Sequence, residues 1–142
     1  MRDLFVTYCS SSKSSSAQEL FTPEELYQGT RITGFIRANK RAQSSWAILS
    51  DMYGLFFPDD QRPYYELHPN DVSPIEEHLL FSKTLDQLRT FDRVWFYGAE
   101  NWNRVHKLYR RWCVYLIDHG IPCERFSPIS ELENISGRFN HG

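Results

Sequence analysis

The chain has 142 residues, of which 41% are hydrophobic and 24% are charged, a composition typical of a globular protein with one hydrophobic core. Its 16 basic and 18 acidic residues give a formal net charge of −2, which excludes a strong overall attraction to a phosphate backbone or an anionic membrane. We therefore predict a single domain over residues 1–142, in which any contact with nucleic acid is local.

The cysteine and hydropathy patterns indicate the compartment. Cys9, Cys113 and Cys123 are an odd number of cysteines without short paired spacings, which argues against a disulfide framework and against a zinc site. No apolar run approaches the ~20 residues that span a bilayer, and the run near the N-terminus is too short for a signal peptide. We expect a cytoplasmic protein without membrane contact, metal or cofactor.

The first third of the chain predicts a strand, a loop and a helix. Residues 4–8 (Leu-Phe-Val-Thr-Tyr) form a short apolar run typical of a buried strand. The serine-rich residues 9–16 that follow favour a surface loop. Residues 22–25 (Thr-Pro-Glu-Glu) form a capping box with proline at the first helical position. We expect a helix from Thr22 to about Arg41, with its glycines as weak points.

The rest of the chain alternates between strands and helices. Ser50–Tyr65 is a long irregular segment that carries Gly54, Pro58 and Pro63, and long connections of this kind are often functional. Residues 73–76 (Ser-Pro-Ile-Glu) repeat the capping pattern. We predict strands over 46–49, 93–97 and 121–126, and helices over 74–88, 101–118 and 130–135.

Two of these helices have rows of similar side chains at helical spacing. The helix over 74–88 has an apolar stripe of Ile75, Leu79, Leu80, Leu85 and Leu88. The helix over 101–118 has a large apolar row of Trp102, Val105, Tyr109, Trp112 and Leu116, and an opposite basic row of Arg104, Lys107 and Arg111. We interpret the apolar rows as buried faces and the basic row as solvated, with phosphate contact as the alternative.

The alternation of strands and helices predicts an α/β fold with three layers, in which a short parallel sheet has helices on both faces. Ligands bind such sheets at the carboxyl ends of the strands. Three loops are therefore expected to meet at one mouth, namely residues 9–16, 50–65 and 98–101.

The loop after the first strand carries the candidate catalytic residues. Lys13 places a cation near Cys9, which would favour the thiolate, so we predict a nucleophile or an anion-binding role for this pair. A small packing residue is the alternative for Cys9. Ser10, Ser12 and Lys13 offer hydroxyls, backbone amides and a cation to a phosphate or carboxylate, with a solvated loop as the alternative.

The long segment carries the other candidate binding residues. Tyr53, Gly54, Pro63 and Tyr64 combine a fixed backbone with aromatic faces, which suits the stacking of a base. Ser50 opens the segment and is expected at the same pocket. Closure of the core by the aromatic side chains is the alternative interpretation.

Two stretches resemble a known group of proteins. Residues 48–64 resemble the pattern I-L-S-A-K-Y-G-L-L-x-P-x-x-x-x-x-P-Y, and residues 9–22 resemble C-S-x-x-K … A-x-E-L-Y-x-S. Both patterns are found in a group of small uncharacterised proteins, in the N-terminal-type domain of archaeosine synthase and, more loosely, in the peroxide-stress protein family. The resemblance covers about half of the chain.

The resemblance implies a uracil-DNA-glycosylase-like α/β fold and a link to modified 7-deazaguanine bases in nucleic acid. Cys9 and Lys13 match the cysteine and the lysine of the archaeosine synthase motif Pro-Cys-x-x-x-Lys-Pro-Tyr. The first hypothesis is therefore a nucleobase- or nucleotide-binding domain associated with nucleic-acid modification. The alternatives are a non-catalytic module that binds a partner protein, and a thiol-dependent transferase or hydrolase that uses Cys9.

Overall fold

The computed structural model describes residues 2–140, which form strands, helices and two short 3₁₀ turns. The strands are β1 (Asp3–Tyr8), β2 (Trp46–Ser50), β3 (Gly54–Phe56), β4 (Arg93–Tyr97) and β5 (Cys123–Phe126). The α-helices are α1 (Pro23–Leu26), α2 (Thr30–Ala42), α3 (Pro74–Gln87), α4 (Lys107–Asp118) and α5 (Glu131–Asn140). The 3₁₀ turns, Pro69–Asp71 and Trp102–Arg104, precede α3 and α4. Within residues 2–140, no helix has the length and apolar character needed to cross a membrane.

The strands form one sheet in the order β3-β2-β1-β4-β5. At its centre β1 pairs in parallel with β2 and β4, and β4 pairs in parallel with β5. At one edge β3 pairs antiparallel with β2, with Ile48 opposite Phe56. The predicted α/β class with a mainly parallel sheet is confirmed, whereas the antiparallel edge strand lies inside the segment that was expected to be irregular.

Consecutive residues of a strand contact helices on opposite faces of the sheet, because side chains alternate along a strand. Phe96 of β4 contacts Trp112 of α4, with ring centres 6.0 Å apart. The next residue, Tyr97, stacks on Phe35 of α2 at 6.1 Å. Because α5 packs against α2 and α3 packs against α4, helices cover both faces of the sheet.

The helix predicted from Thr22 is interrupted. Its capping box is present, since Thr22 Oγ1 accepts from the Glu25 N–H and the Glu25 carboxylate accepts from the Thr22 N–H. The helix nevertheless ends at Leu26, and α2 starts after Gly29. Between them Tyr27 has an extended backbone and a fully buried side chain. Burial of that side chain in the core accompanies the break.

The helix predicted from Asn101 begins later, at Lys107, because the His106 side chain caps it by accepting from the Leu108 N–H. Trp102 and Arg104 lie in the preceding 3₁₀ turn. The predicted basic row of Arg104, Lys107 and Arg111 is therefore wrong, because Arg104 does not belong to the same helix as the other two. Near the C-terminus, the predicted strand and closing helix are present with shifted bounds, as β5 and α5.

Helix α3 buries a different face from the predicted one. Ile75 and Leu79, from the predicted apolar stripe, are 75% and 63% exposed. Its buried residues are Leu80, Phe81 and Thr84. This row faces β3 and α4, the elements against which α3 packs. The predicted stripe is therefore wrong in its first half, because an apolar residue at helical spacing is not always the one that meets the core.

Candidate functional site

A cavity of about 430 Å³ opens at the carboxyl ends of β1 and β2, where ligands bind parallel sheets. Its wall comes from the loop after β1, the residue after β2, the connection before α3, and the start of α4 with the turn before it. The lining residues are Tyr8, Cys9, Ser10, Ser11, Lys13, Asp51, Tyr64, Glu66, Leu67, His68, Pro69, Arg104, His106 and Tyr109.

The structure brings some of the predicted site residues together at this cavity. Those that line it are Cys9, Ser10, Lys13 and Tyr64, and those that do not are Ser12, Ser50, Tyr53, Gly54 and Pro63. The loop after β1 and the long segment therefore share one mouth. The third loop does not join them, because Gly98 and Glu100 line a separate cavity of about 340 Å³ with Trp102 and Arg125.

Most of the predicted residues outside the cavity hold the long segment in place. The buried Ser50 hydroxyl donates to the Tyr65 hydroxyl at 3.0 Å and accepts from the Tyr53 N–H at 3.1 Å. The Tyr53 hydroxyl donates to the Pro63 carbonyl at 2.8 Å. Gly54 turns the chain into β3 with a φ of 76°. These contacts are structural, and the residues that make them do not line the cavity.

Asp51 is the main cavity residue that the sequence interpretation missed. It is 5% exposed and lines the cavity with two other buried residues, Cys9 and Tyr109. We call these three residues the floor. The Tyr109 hydroxyl donates to Asp51 Oδ1 at 2.6 Å and lies 3.4 Å from Cys9 Sγ. Burial raises the pKa of Asp51, although its contacts with Tyr109 and Cys9 and the charge of Lys13 oppose the shift.

The surroundings of Cys9 favour its thiol form, whereas a nearby Lys13 ammonium was expected to favour the thiolate. Burial, followed by the charge of Asp51, raises the pKa of Cys9 to about 11, so the thiol persists at neutral pH. The Lys13 ammonium lies over the Tyr65 ring, 4.7 Å from its centre. In this geometry Cys9 is a buried thiol with weak donor and acceptor character.

The carboxyl end of β1 is fixed by Arg31 of α2. Its guanidinium donates to Thr7 Oγ1 at 2.6 Å and to the Tyr8 carbonyl at 2.8 Å, and it reaches the Cys9 carbonyl at 3.3 Å. It also lies over the Tyr8 ring, 3.6 Å from its centre. Arg31 therefore positions the two residues that begin the cavity wall. No sequence signal distinguishes it from other arginines on a helix surface.

Two histidines line the outer part of the cavity. The Asn70 N–H donates to His68 Nδ1 at 3.1 Å, and the Leu108 N–H donates to His106 Nδ1 at 3.0 Å. Each ring therefore carries its proton on Nε2, and His106 Nε2 donates to Asn70 Oδ1 at 2.6 Å. Burial and the nearby His68 lower the pKa of His106. The pair supplies two imidazole rings, with Arg104 as an exposed cation beside them.

The fold and the cavity define the class of this protein: an α/β domain with a ligand-sized cavity at the carboxyl edge of a mainly parallel sheet. No protein-family model, no curated protein and no solved structure matches the chain. Among residues 2–140, no group of three or more His, Cys, Asp or Glu side chains is placed to hold a metal ion.

Proposed function

We propose that this domain binds a nucleobase or nucleotide in the cavity and takes part in nucleic-acid modification of the 7-deazaguanine type, in the cytoplasm. The observation that carries the proposal is the make-up of a single cavity wall, which combines a buried carboxyl group, an aromatic ring and the cations of Lys13 and Arg104. Its volume of about 430 Å³ is in the usual range of small-molecule sites.

Each part of this wall suits one part of a nucleotide. The Tyr64 ring is 46% exposed and offers a face on which a base can stack, which is worth about 1–3 kcal/mol per base. Asp51 accepts hydrogen bonds from the N–H groups of a base. Lys13 and Arg104 attract the phosphate. Cys9 contributes its thiol to the floor and, in this proposal, contacts the ligand without being ionised.

A uracil-DNA-glycosylase-like arrangement belongs to the same proposal. The parallel strands follow the order β2-β1-β4-β5. The chain therefore adds β2 on one side of β1 and then reverses direction to add β4 on the other side. In doubly wound sheets the ligand crevice lies at this reversal. Cys9 and Ser10 follow β1 directly and line the cavity, which supports the fold that the resemblance implies.

The proposal is tested by calorimetric titration of the protein with the four ribonucleoside monophosphates and with a 7-deazaguanine base. We expect Lys13→Ala and Tyr64→Ala each to weaken binding about tenfold, the effect of losing one charge-assisted contact or one stacking face. Lys40→Ala is the matched control, since Lys40 is paired with Glu24 and does not line the cavity. Absence of binding, or equal binding by all variants, would contradict the proposal.

A further inference from the structure

We propose that Asp51 selects bases with a guanine-type edge, by accepting hydrogen bonds from a ring N–H and from the neighbouring amino group. The inference rests on the proposed function and adds the base class and the residue that reads it.

The position of Asp51 makes it the selective group of the cavity. Two carboxylates line the cavity, Asp51 and Glu66. Glu66 is exposed and accepts from the Tyr64 hydroxyl at 2.8 Å, whereas Asp51 is 5% exposed and belongs to the floor. A buried carboxylate exchanges few contacts with water, so the hydrogen bonds that a ligand makes with it discriminate strongly.

Asp51 is held in place and still has acceptor capacity. The Tyr109 hydroxyl donates to Oδ1 at 2.6 Å, and the Tyr109 ring is held in turn by stacking on Tyr8 of β1 at 4.9 Å. A carboxylate has about four lone-pair positions, and the contacts with Tyr109 and Cys9 occupy two of those of Asp51. The remaining positions favour a ligand with two adjacent N–H donors, because such a ligand satisfies both oxygen atoms in the bidentate manner of a guanidinium.

Only one of the common bases presents that pair of donors. The Watson–Crick edge of guanine has the N1–H beside the 2-amino group. Adenine and cytosine place a ring nitrogen lone pair next to their amino group, and uracil flanks its N–H with two carbonyl oxygens. A lone pair or a carbonyl oxygen opposite a carboxylate is repelled.

The test compares GMP with IMP, AMP and XMP by calorimetric titration of the wild type and of Asp51→Asn. IMP differs from GMP by the 2-amino group alone, so we expect GMP to bind the wild type about tenfold more tightly than IMP. In Asp51→Asn the amide N–H₂ donates to the 2-carbonyl of xanthine. We therefore expect that variant to lose about tenfold in GMP affinity and to prefer XMP.

Three further measurements keep the result interpretable. Asp59→Asn is the matched control, because Asp59 is exposed and does not line the cavity. Tyr109→Phe removes the hydrogen bond that fixes Asp51 and is expected to reduce the GMP-to-IMP ratio, which provides a second variant. A single-stranded oligonucleotide with one guanine, compared with GMP, shows whether the base is taken from nucleic acid or from a free nucleotide.

The outcomes separate this inference from the proposed function. Equal binding of GMP, IMP and AMP, or a GMP preference that Asp51→Asn leaves unchanged, would overturn the role of Asp51 while leaving a nucleotide site in place. If none of the nucleotides binds the wild type, both proposals fail. A shift of preference from GMP to XMP in Asp51→Asn alone supports the inference.

Discussion

Burial and the neighbouring carboxyl group of Asp51 raise the pKa of Cys9 to about 11. Since the thiolate is the reactive form, the fraction available at pH 7 is on the order of a hundredfold below that of a free cysteine. We therefore expect iodoacetamide to alkylate Cys9 more slowly than Cys123, which is partly exposed. The rate at Cys9 should rise steadily as the pH approaches 11.

Peptide mapping by mass spectrometry after timed alkylation between pH 7 and pH 10 measures this rate, and Cys9→Ser identifies the Cys9 peptide. Alkylation in urea, where burial is lost, should make the cysteines equally reactive. A Cys9 that reacts at pH 7 as fast as free cysteine would favour the alternative of a thiol-dependent transferase or hydrolase.

The difference between Ser50 and Asp51 shows the limit of the sequence interpretation at a single residue. The second strand was predicted to end at residue 49 and ends at Ser50, and a site was expected there. Neighbouring residues at a strand end point in different directions. An error of one position therefore assigns a core residue to the site in place of the residue that lines the cavity. Ser50 bonds the buried Tyr65, and Asp51 lines the cavity. The sequence alone does not indicate which of the two faces the ligand.

At the level of elements, the turn into β3 depends on Gly54. Its φ of 76° lies in the region that favours glycine. A Cβ at Gly54 would lie 2.7 Å from Gln87 Oε1. The Gln87 amide pairs with both backbone groups of Leu55, each at 2.8 Å, and so links α3 to the edge strand. We expect Gly54→Ala to destabilise the protein by about 1–2 kcal/mol from backbone strain, with further loss if the Gln87 contact breaks.

Gly34→Ala is the matched comparison, because Gly34 lies inside α2 and a Cβ there meets nothing within 4 Å. Alanine is favoured over glycine in a helix, so this variant should stabilise the protein by about 0.5–1 kcal/mol. Urea unfolding followed by tryptophan fluorescence measures both free energies. The same sign of effect for the two substitutions would contradict the assigned role of Gly54.

Capping patterns in the sequence predicted where helices start better than the sequence predicted whether a helix continues without a break. The capping boxes at Thr22 and Ser73 were predicted, and both form with reciprocal hydrogen bonds, since a cap depends on four consecutive residues. The interruption before Gly29 depends on the burial of Tyr27, whose hydroxyl is 2.7 Å from that of Tyr65. That contact joins residues 38 positions apart, beyond the reach of a pattern read along one helix.

At the level of the whole molecule, alternation of strands and helices was sufficient to predict the parallel sheet, because crossover connections restrict how such elements assemble. It was not sufficient to predict β3, which has three residues and pairs only because the turn at Gly54 returns the chain to β2. The cavity, like the sheet, could be predicted only in part. Its position at the sheet edge follows from the topology. The presence of His106 and Tyr109 in its wall depends on the residue at which α4 begins.

If the cavity binds nucleic acid as proposed, the charge distribution predicts a weak dependence of that binding on salt. The net charge of the chain is −2, and several cations are already paired, among them Lys40 with Glu24, Arg41 with Glu133 and Arg111 with Glu77. The cavity presents one lysine and one arginine, Lys13 and Arg104. Two phosphate contacts to a single strand give a slope of about −1.4 in log affinity against log salt.

A guanine-containing oligonucleotide should therefore lose only about sevenfold in affinity between 50 and 200 mM salt, a loss that fluorescence anisotropy can measure. Lys13→Ala should make the slope shallower by about 0.7, because one phosphate contact is removed. Lys40→Ala should leave the slope unchanged. A slope steeper than about −4 would mean that a broad basic surface binds the strand, and the cavity would then be a minor part of the interface.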